Sequence, residues 1–428
     1  MELNDIKYGI IQPLSGGMAF GAINAIGHNP SWIISYPGLT SVKTNKDGKV
    51  TSVGNEYNLL EWFKKHGCLP PYQVFNKAPF QQTDLDVELI DDPEWTTEKI
   101  DYSNTDLVVS VPVCSGLSQA TIASQDTKDE RNCNMLFNAE FTLSKIKPKI
   151  YIFENAPILF SNAGKSVRES LNAIADKYGY SIVYYKTDTL LHDNCQRRSR
   201  TFVLFIKHRD CKKGTPDFNF ENSPADIDEF FSRIPKDATQ QFPIPQSDTS
   251  KLFMDYIHSK FGSDYRVAYN GWLIREIIAD NLYDDLCSFA SNSNYSDKTR
   301  QSLIHLITHV KDKVSANKNF YCVLPGYPKN GIVPAITFKT MQALLHHKED
   351  RQYTVREFLH LMGMPHDYEL HGDINLNYPK IGQNVPARTA QWIISEAARI
   401  IKNWDSIPRN NCDILFVDNI KQKVFSYS

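Results

Sequence analysis

The chain has 428 residues, 41% of them apolar and 22% charged, a balance that suits a soluble globular protein of about two domains and excludes extensive disorder. Its net charge of -2 provides no global basic field, so a polyanionic partner would have to be met by local clusters such as Arg197, Arg198 and Arg200. The 8 cysteines form no C-x-x-C pair, no run of about 18 apolar residues occurs and MELNDIKYGI does not read as a leader, so a metal-free cytoplasmic protein off the membrane is expected.

In chain order, YGIIQPL (8–14) reads as a buried strand, and SGGMAFGAINAIG then turns into a helix. SWIISYPG carries a second strand, and DLVVSV (106–111), KIYIFEN (149–155), SIVYYKT (181–187) and TFVLFIK (201–207) are four more. Between them, GKSVRESLNAIADKYG (164–179) has apolar residues near helical spacing and ends on glycine. Strands alternating with helices predict an α/β fold with a mostly parallel sheet covered on both faces. Ligands of such sheets bind beyond the carboxyl ends of the strands. From about residue 209 the texture turns polar and irregular. The stretch 210–350 holds helical pieces such as WLIREIIADNLYDDLCSF but declares no fold, and helices resume with TVREFLHLMGM (354–364) and ARTAQWIISEAARIIKNW (387–404).

Four segments at strand ends could carry chemistry. Cys114, in SVPVCSGLSQA, sits in a turn of Pro, Ser and Gly; a reduced thiol there could serve as a nucleophile, although a free cysteine is most often a small buried hydrophobe. Glu154, in IFENAP, ends an apolar strand on a carboxylate, which needs a ligand, a salt bridge or a capping role to offset its burial. QRRSR (196–200) offers three guanidiniums for phosphate or carbonyl groups, or else forms a solvated loop. SGGMAFG (15–21) allows a nucleotide-type cofactor to approach the backbone, but it contains neither a full G-x-G-x-x-G nor a Walker pattern.

The order of these pieces resembles that of the DNA cytosine-5 methyltransferases. QPLSGGMAF is similar to their first cofactor loop, VPVCSGLSQA to the catalytic loop, IFENAP to the Glu-Asn-Val segment and CQRRSRTFVLF to the Gln-x-Arg-x-Arg segment. YTVREFLHLMGMPHDYEL and IGQNVPARTAQWI resemble the stretch after the recognition domain and the closing Gly-x-x-Val-Pro motif. The resemblance covers roughly residues 8–210 and 350–404. It implies a class I methyltransferase (Rossmann-like) domain over 1–208, completed by 370–428, with a smaller target recognition domain and hinge inserted over 209–369.

By the same resemblance, Cys114 adds to C6 of a flipped cytosine, Glu154 holds N3 and the exocyclic amine, Arg200 steadies the base carbonyl and Arg198 supports the loop. The implied donor is S-adenosyl-L-methionine, with Leu14, Ser15, Gly16, Gly17, Tyr36, Asp84, Pro112, Met135, Gln383 and Val385 around it. The implied partner is double-stranded DNA, bound by a monomer through Ser115, Ser118, Gln119, Arg197 and Thr337; for Thr337 an ordinary strand position is the alternative. A loop over 115–130 would close on the DNA. A bacterial or phage-infected cell is the implied setting, in restriction-modification or phage DNA modification.

The departures from the family pattern cluster at the cofactor. Gln12 stands for the usual Asp, Leu14 for a Phe, Met18 and Ala19 for two glycines, Tyr36 for the ribose-binding acid, Val113 for a proline and Gln383 for an Asn. An insertion-like stretch spans 44–67. These leave open a modified sulfonium donor that transfers a larger group, a silent DNA-binding relative, or an RNA substrate.

Overall fold

Short runs rich in Ile, Val and Tyr become strands, and the longer amphipathic runs become helices, in a computed structural model that describes residues 3–78, 85, 87–113, 130–207, 223–269, 282–316, 324–406 and 413–420. The chain divides into two compact units, one formed by residues 1–194, 198–225 and 361–428, the other by 195–197 and 226–360.

The first unit opens with β1 (Tyr8–Ile11), α1 (Gly17–Ile26), β2 (Trp32–Ser35), a hairpin of β3 (Val42–Thr44) and β4 (Val50–Val53), α2 (Tyr57–Lys65), β5 (Tyr72–Phe75) and β6 (Leu89–Ile90). It continues through β7 (Leu107–Ser110), α3 (Glu130–Phe141), β8 (Ile150–Asn155), α4 (Lys165–Tyr178), β9 (Tyr180–Asp188) and β10 (Ser199–Lys207). The insertion-like stretch thus folds as the hairpin and α2. Nine strands form one sheet in the order β11-β9-β10-β8-β7-β1-β2-β5-β6, where β11 is Ile414–Asp418. Pairings from β8 through β7, β1 and β2 to β5 are parallel, whereas β10 runs antiparallel to both β8 and β9. The alternation of strand and helix therefore yields the mostly parallel α/β sheet expected of it.

One face of the sheet packs Ile11, Trp32, Ile34, Phe75, Tyr151, Phe153 and Phe205 with Met135, Phe137 and Phe141 of α3 and Leu171 of α4. On the other side, α1 lies against the helix Ala387–Lys402, whose Ile393, Ile394, Ala397, Ile400 and Ile401 are buried at helical spacing. The contact is close because Gly21 has no side chain; a Cβ there would lie 2.5 Å from Ala390 Cβ.

The first strand is shorter than the sequence suggests. It stops at Ile11 because Gln12 (φ 54°) and Leu14 (φ 52°) are both left-handed around Pro13. Each such non-glycine residue costs on the order of 1–3 kcal/mol, strain that persists only where neighbours enforce it.

The second unit is helical over most of its described length. Its core joins Leu252, Phe253, Tyr256 and Ile257 of one helix (Asp248–Phe261) to Leu286 and Ala290 of a second (Leu282–Asn292) and Leu303, Ile307 and Val310 of a third (Asp297–Ser315). No helix among the described residues is long and apolar enough to cross a membrane.

Candidate active site

Strand register brings the two most polar members of the site together. Phe202 on β10 lies opposite Glu154 on β8, and Arg200 is two residues before Phe202, so Arg200 shares the face of Glu154 one step along the diagonal. Arg200 Nε meets Glu154 Oε1 at 2.7 Å, and the Arg200 guanidinium also donates to Ser199 O at 2.7 Å. Glu154 is buried, and burial raises its pKa above the ordinary carboxylate value, although Arg200 and then Arg198 pull it back. The result is a carboxyl whose acidity burial weakens, at the C-terminal end of β8.

Arg198 holds this edge together. It is 2% exposed, and its guanidinium donates to the carbonyls of Gly382 at 2.7 Å and Asn384 at 3.0 Å. Asp188, at the end of β9, accepts from the Arg198 backbone N–H at 3.2 Å and from Ser199 Oγ at 2.8 Å, which fixes the start of β10. Replacing Arg198 with methionine is expected to destabilise the fold by about 3 kcal/mol, since two carbonyls lose a charged donor. Lysine should recover only part of this, because an ammonium cannot reproduce the planar fork. Urea denaturation measures the loss, and an unchanged midpoint would refute the bracing role.

Strand β7 runs parallel to β8 with Ser110 opposite Phe153, so both strands end at the same edge. Pro112 beyond it is buried, and the Val113 N–H donates to Asn134 Oδ1 of α3 at 2.9 Å. Cys114 follows Val113 in sequence, but Cys114, Ser115, Ser118 and Gln119 lie outside the described residues, as do the loop 115–129 and Asp84.

Around the glycine loop, Ser15 Oγ donates to Lys380 O at 3.2 Å, and Tyr368 Oη donates to Ser15 O at 3.0 Å. Asn384 Oδ1 accepts from Gly17 N at 2.9 Å and from Val385 N at 3.0 Å. Gly17 must be glycine here, because a Cβ would lie 1.7 Å from Val385 O. Val385 is buried, while Gln383 is exposed at the end of the helix Ile374–Gln383. Tyr36, directly after β2, is fully buried, and its hydroxyl donates to Asn138 Oδ1 at 2.7 Å. Met135 is also fully buried, with its sulfur 3.5 Å from Asn155 Nδ2. Asn134, Asn138 and Asp188 were not singled out in the sequence. The sign that could have found the asparagines is polar residues at buried helical positions of ERNCNMLFNAEF.

Two expected DNA contacts belong to the second unit. Arg197 is exposed, with its backbone N–H bonded to Val333 O at 2.8 Å. Thr337 is not a strand residue: it caps a short helix (Phe338–Ala343), its Oγ1 accepting from Thr340 N at 3.2 Å.

A family model for C-5 cytosine-specific DNA methylase matches residues 72–399. The chain belongs to this family. It is a DNA cytosine-5 methyltransferase, and a methyl donor is part of that chemistry. No curated protein matches the chain. Among solved structures, a DNA modification methyltransferase encoded within an E. coli prophage is similar at 13% identity, covering 93% of this chain and 99% of its own with a TM-score of 0.50. The Entamoeba histolytica methyltransferase EhMeth is similar at 12% identity, over 92% of this chain and 97% of its own, with a TM-score of 0.49. At these identities the first likeness speaks for the fold of the methylase alone.

Proposed function

We propose that the enzyme methylates C5 of a cytosine flipped out of duplex DNA, using S-adenosyl-L-methionine. The observation that carries this reading is the buried Glu154 carboxyl, its acidity weakened by burial, paired with Arg200 at 2.7 Å. A cytosine ring needs such a pair: a protonated carboxyl for N3 and a cation for the base carbonyl. In this reading Cys114 adds to C6, Glu154 holds N3 and the amine as the ring gains a proton, Arg200 stabilises the negative charge building on the carbonyl oxygen, and Arg198 braces the strand that carries it. Addition of the thiolate makes C5 an enamine carbon able to take a methyl group. Later loss of the C5 proton and of the cysteine restores the aromatic ring.

The residues around the glycine loop fit a nucleoside-bearing donor held by backbone and neutral polar groups. Ser35 Oγ and Glu56 Oε1, at this end of the sheet, are buried oxygens that complete no hydrogen bond of normal geometry among the described residues. Leu14, Ser15, Gly16, Gly17, Tyr36, Pro112, Met135, Gln383 and Val385 would hold the donor together with Asp84, and the donor would supply an electrophilic methyl on sulfur. Ser115, Ser118, Gln119, Arg197 and Thr337 would contact DNA. The second unit would read the target sequence as the recognition domain, in a cytoplasmic enzyme that works as a monomer. One observation favours a second reading, a modified sulfonium donor: the position after β2 holds a buried tyrosine bonded to Asn138 instead of a carboxylate.

Incubation with DNA and S-adenosylmethionine, followed by nucleoside mass spectrometry, tests the proposal. The expected product is 5-methylcytosine. A larger increment from a cell-extract donor would replace it with the second reading, and unmodified cytosine under both conditions would overturn both.

A further inference from the structure

Position 113 departs from the family pattern, with valine where a proline is usual, and no step of the proposed reaction uses it. A proline there would fix its own φ at about −65° and keep the residue before it in extended backbone. Valine does neither. It also adds an N–H beyond the last ladder pair of β7 at Ser110, and such a group needs a partner. That N–H donates to Asn134 Oδ1 at 2.9 Å. Asn134 is fully buried on α3, and its Nδ2 completes no hydrogen bond of normal geometry among the described residues. The helix is held on both sides of this contact. Met135, the next residue, has its sulfur 3.5 Å from Nδ2 of Asn155, which directly follows Glu154. One turn on, Asn138 Oδ1 accepts from Tyr36 Oη at 2.7 Å, and its Nδ2 donates to Gln12 Oε1 at 3.5 Å. Consecutive residues of one helix thus hold the position before Cys114 and the position after Glu154.

We propose that Asn134 is a positioning residue for the nucleophile, its side-chain carbonyl supplying the restraint that a proline at position 113 would impose. The inference rests on the reading of Cys114 as nucleophile. A proline restrains the chain through its own ring, whereas valine needs a partner from outside the segment. α3 provides that partner, and its next residue meets the strand end that carries Glu154. The thiol and the carboxyl therefore take their positions from the same helical turn. A base attacked at C6 while held at N3 tolerates little error between the two groups, and a displacement of about 1 Å can cost about 10²-fold in rate. This role requires no contact of Asn134 with DNA or donor, so its loss should act on turnover and spare affinity.

Turnover on unmodified genomic DNA with S-adenosylmethionine, together with urea denaturation of the same full-length proteins, tests this. Asn134→Leu keeps the volume and removes the acceptor; it should lower kcat about tenfold, with KM for DNA and for donor within about twofold of wild type. Val113→Pro should stay near the wild-type rate, because the ring replaces the bond. It should still lower the urea midpoint, because Asn134 Oδ1 is left buried and unpaired. The double variant Val113→Pro/Asn134→Leu should recover turnover to within about threefold of wild type, with a midpoint above the sum of the two single losses. A double variant as slow as Asn134→Leu, or a loss in Asn134→Leu shared equally by kcat and KM, would overturn the inference. If Asn134→Leu does not fold, the double variant decides alone, and its failure in rate or in folding counts against the inference. A wild-type chain that modifies no cytosine would instead overturn the nucleophile reading. The midpoints then still test the restraint, and strictly additive losses would refute it.

Discussion

Replacing Cys114 with serine should abolish cytosine modification, lowering turnover by about 10⁴-fold or more, as losing a covalent nucleophile generally does. C5 of cytosine is a poor nucleophile until an adduct forms at C6, and a serine hydroxyl is almost never ionised at neutral pH. The substitution changes one sulfur to oxygen at the position after Val113, whose N–H is anchored by its hydrogen bond to Asn134. Folding should therefore survive, with melting temperature and DNA affinity close to wild type. Single-turnover assays with nucleoside analysis give the rate, and activity near wild type would exclude Cys114 as the nucleophile.

The second large effect is expected at Glu154. Glutamine there keeps the size and one acceptor but cannot deliver a proton to N3, which should lower the rate about 10²- to 10⁴-fold. DNA affinity should change little, because in the proposed mechanism the carboxyl acts on the flipped base. The pH dependence gives an independent reading. Burial raises the Glu154 pKa against the pull of Arg200 and Arg198, so the protonated form is lost as pH rises through that elevated value. Wild-type turnover should fall along the alkaline limb, and Glu154→Gln should lack that limb. Equal loss of rate and DNA affinity would mean that Glu154 organises the strand end instead of acting on the base.

Strand positions were legible because a buried parallel sheet requires unbroken apolar runs, as in DLVVSV and KIYIFEN. The end of β1 was not, because Gln12 and Leu14 adopt left-handed backbone that their side chains do not advertise. The candidate site was legible as spaced motifs, yet its bracing was not. Arg198, Asp188 and the carbonyls of Gly382 and Asn384 meet only after the chain returns from its second unit, and no local pattern encodes that meeting. For Thr337 the sequence left an ordinary strand position as the alternative to a DNA contact, whereas its hydroxyl caps a helix. The bond that Tyr36 makes to Asn138, 102 residues away, could not be read locally.

The hydrogen bond from Gly17 to Asn384 spans 367 residues. At the usual pace of translation, roughly 20–70 s separate the synthesis of its two ends. For that interval the first helix leaves the ribosome without the loop that caps it and without the helix that covers its apolar face. The nascent chain must wait, shielded or exposed, for its own tail. An enzyme wired in this order completes its first loop only once residues 384–402 have emerged, so a chain stopped before Asn384 lacks both that hydrogen bond and the helix that covers α1.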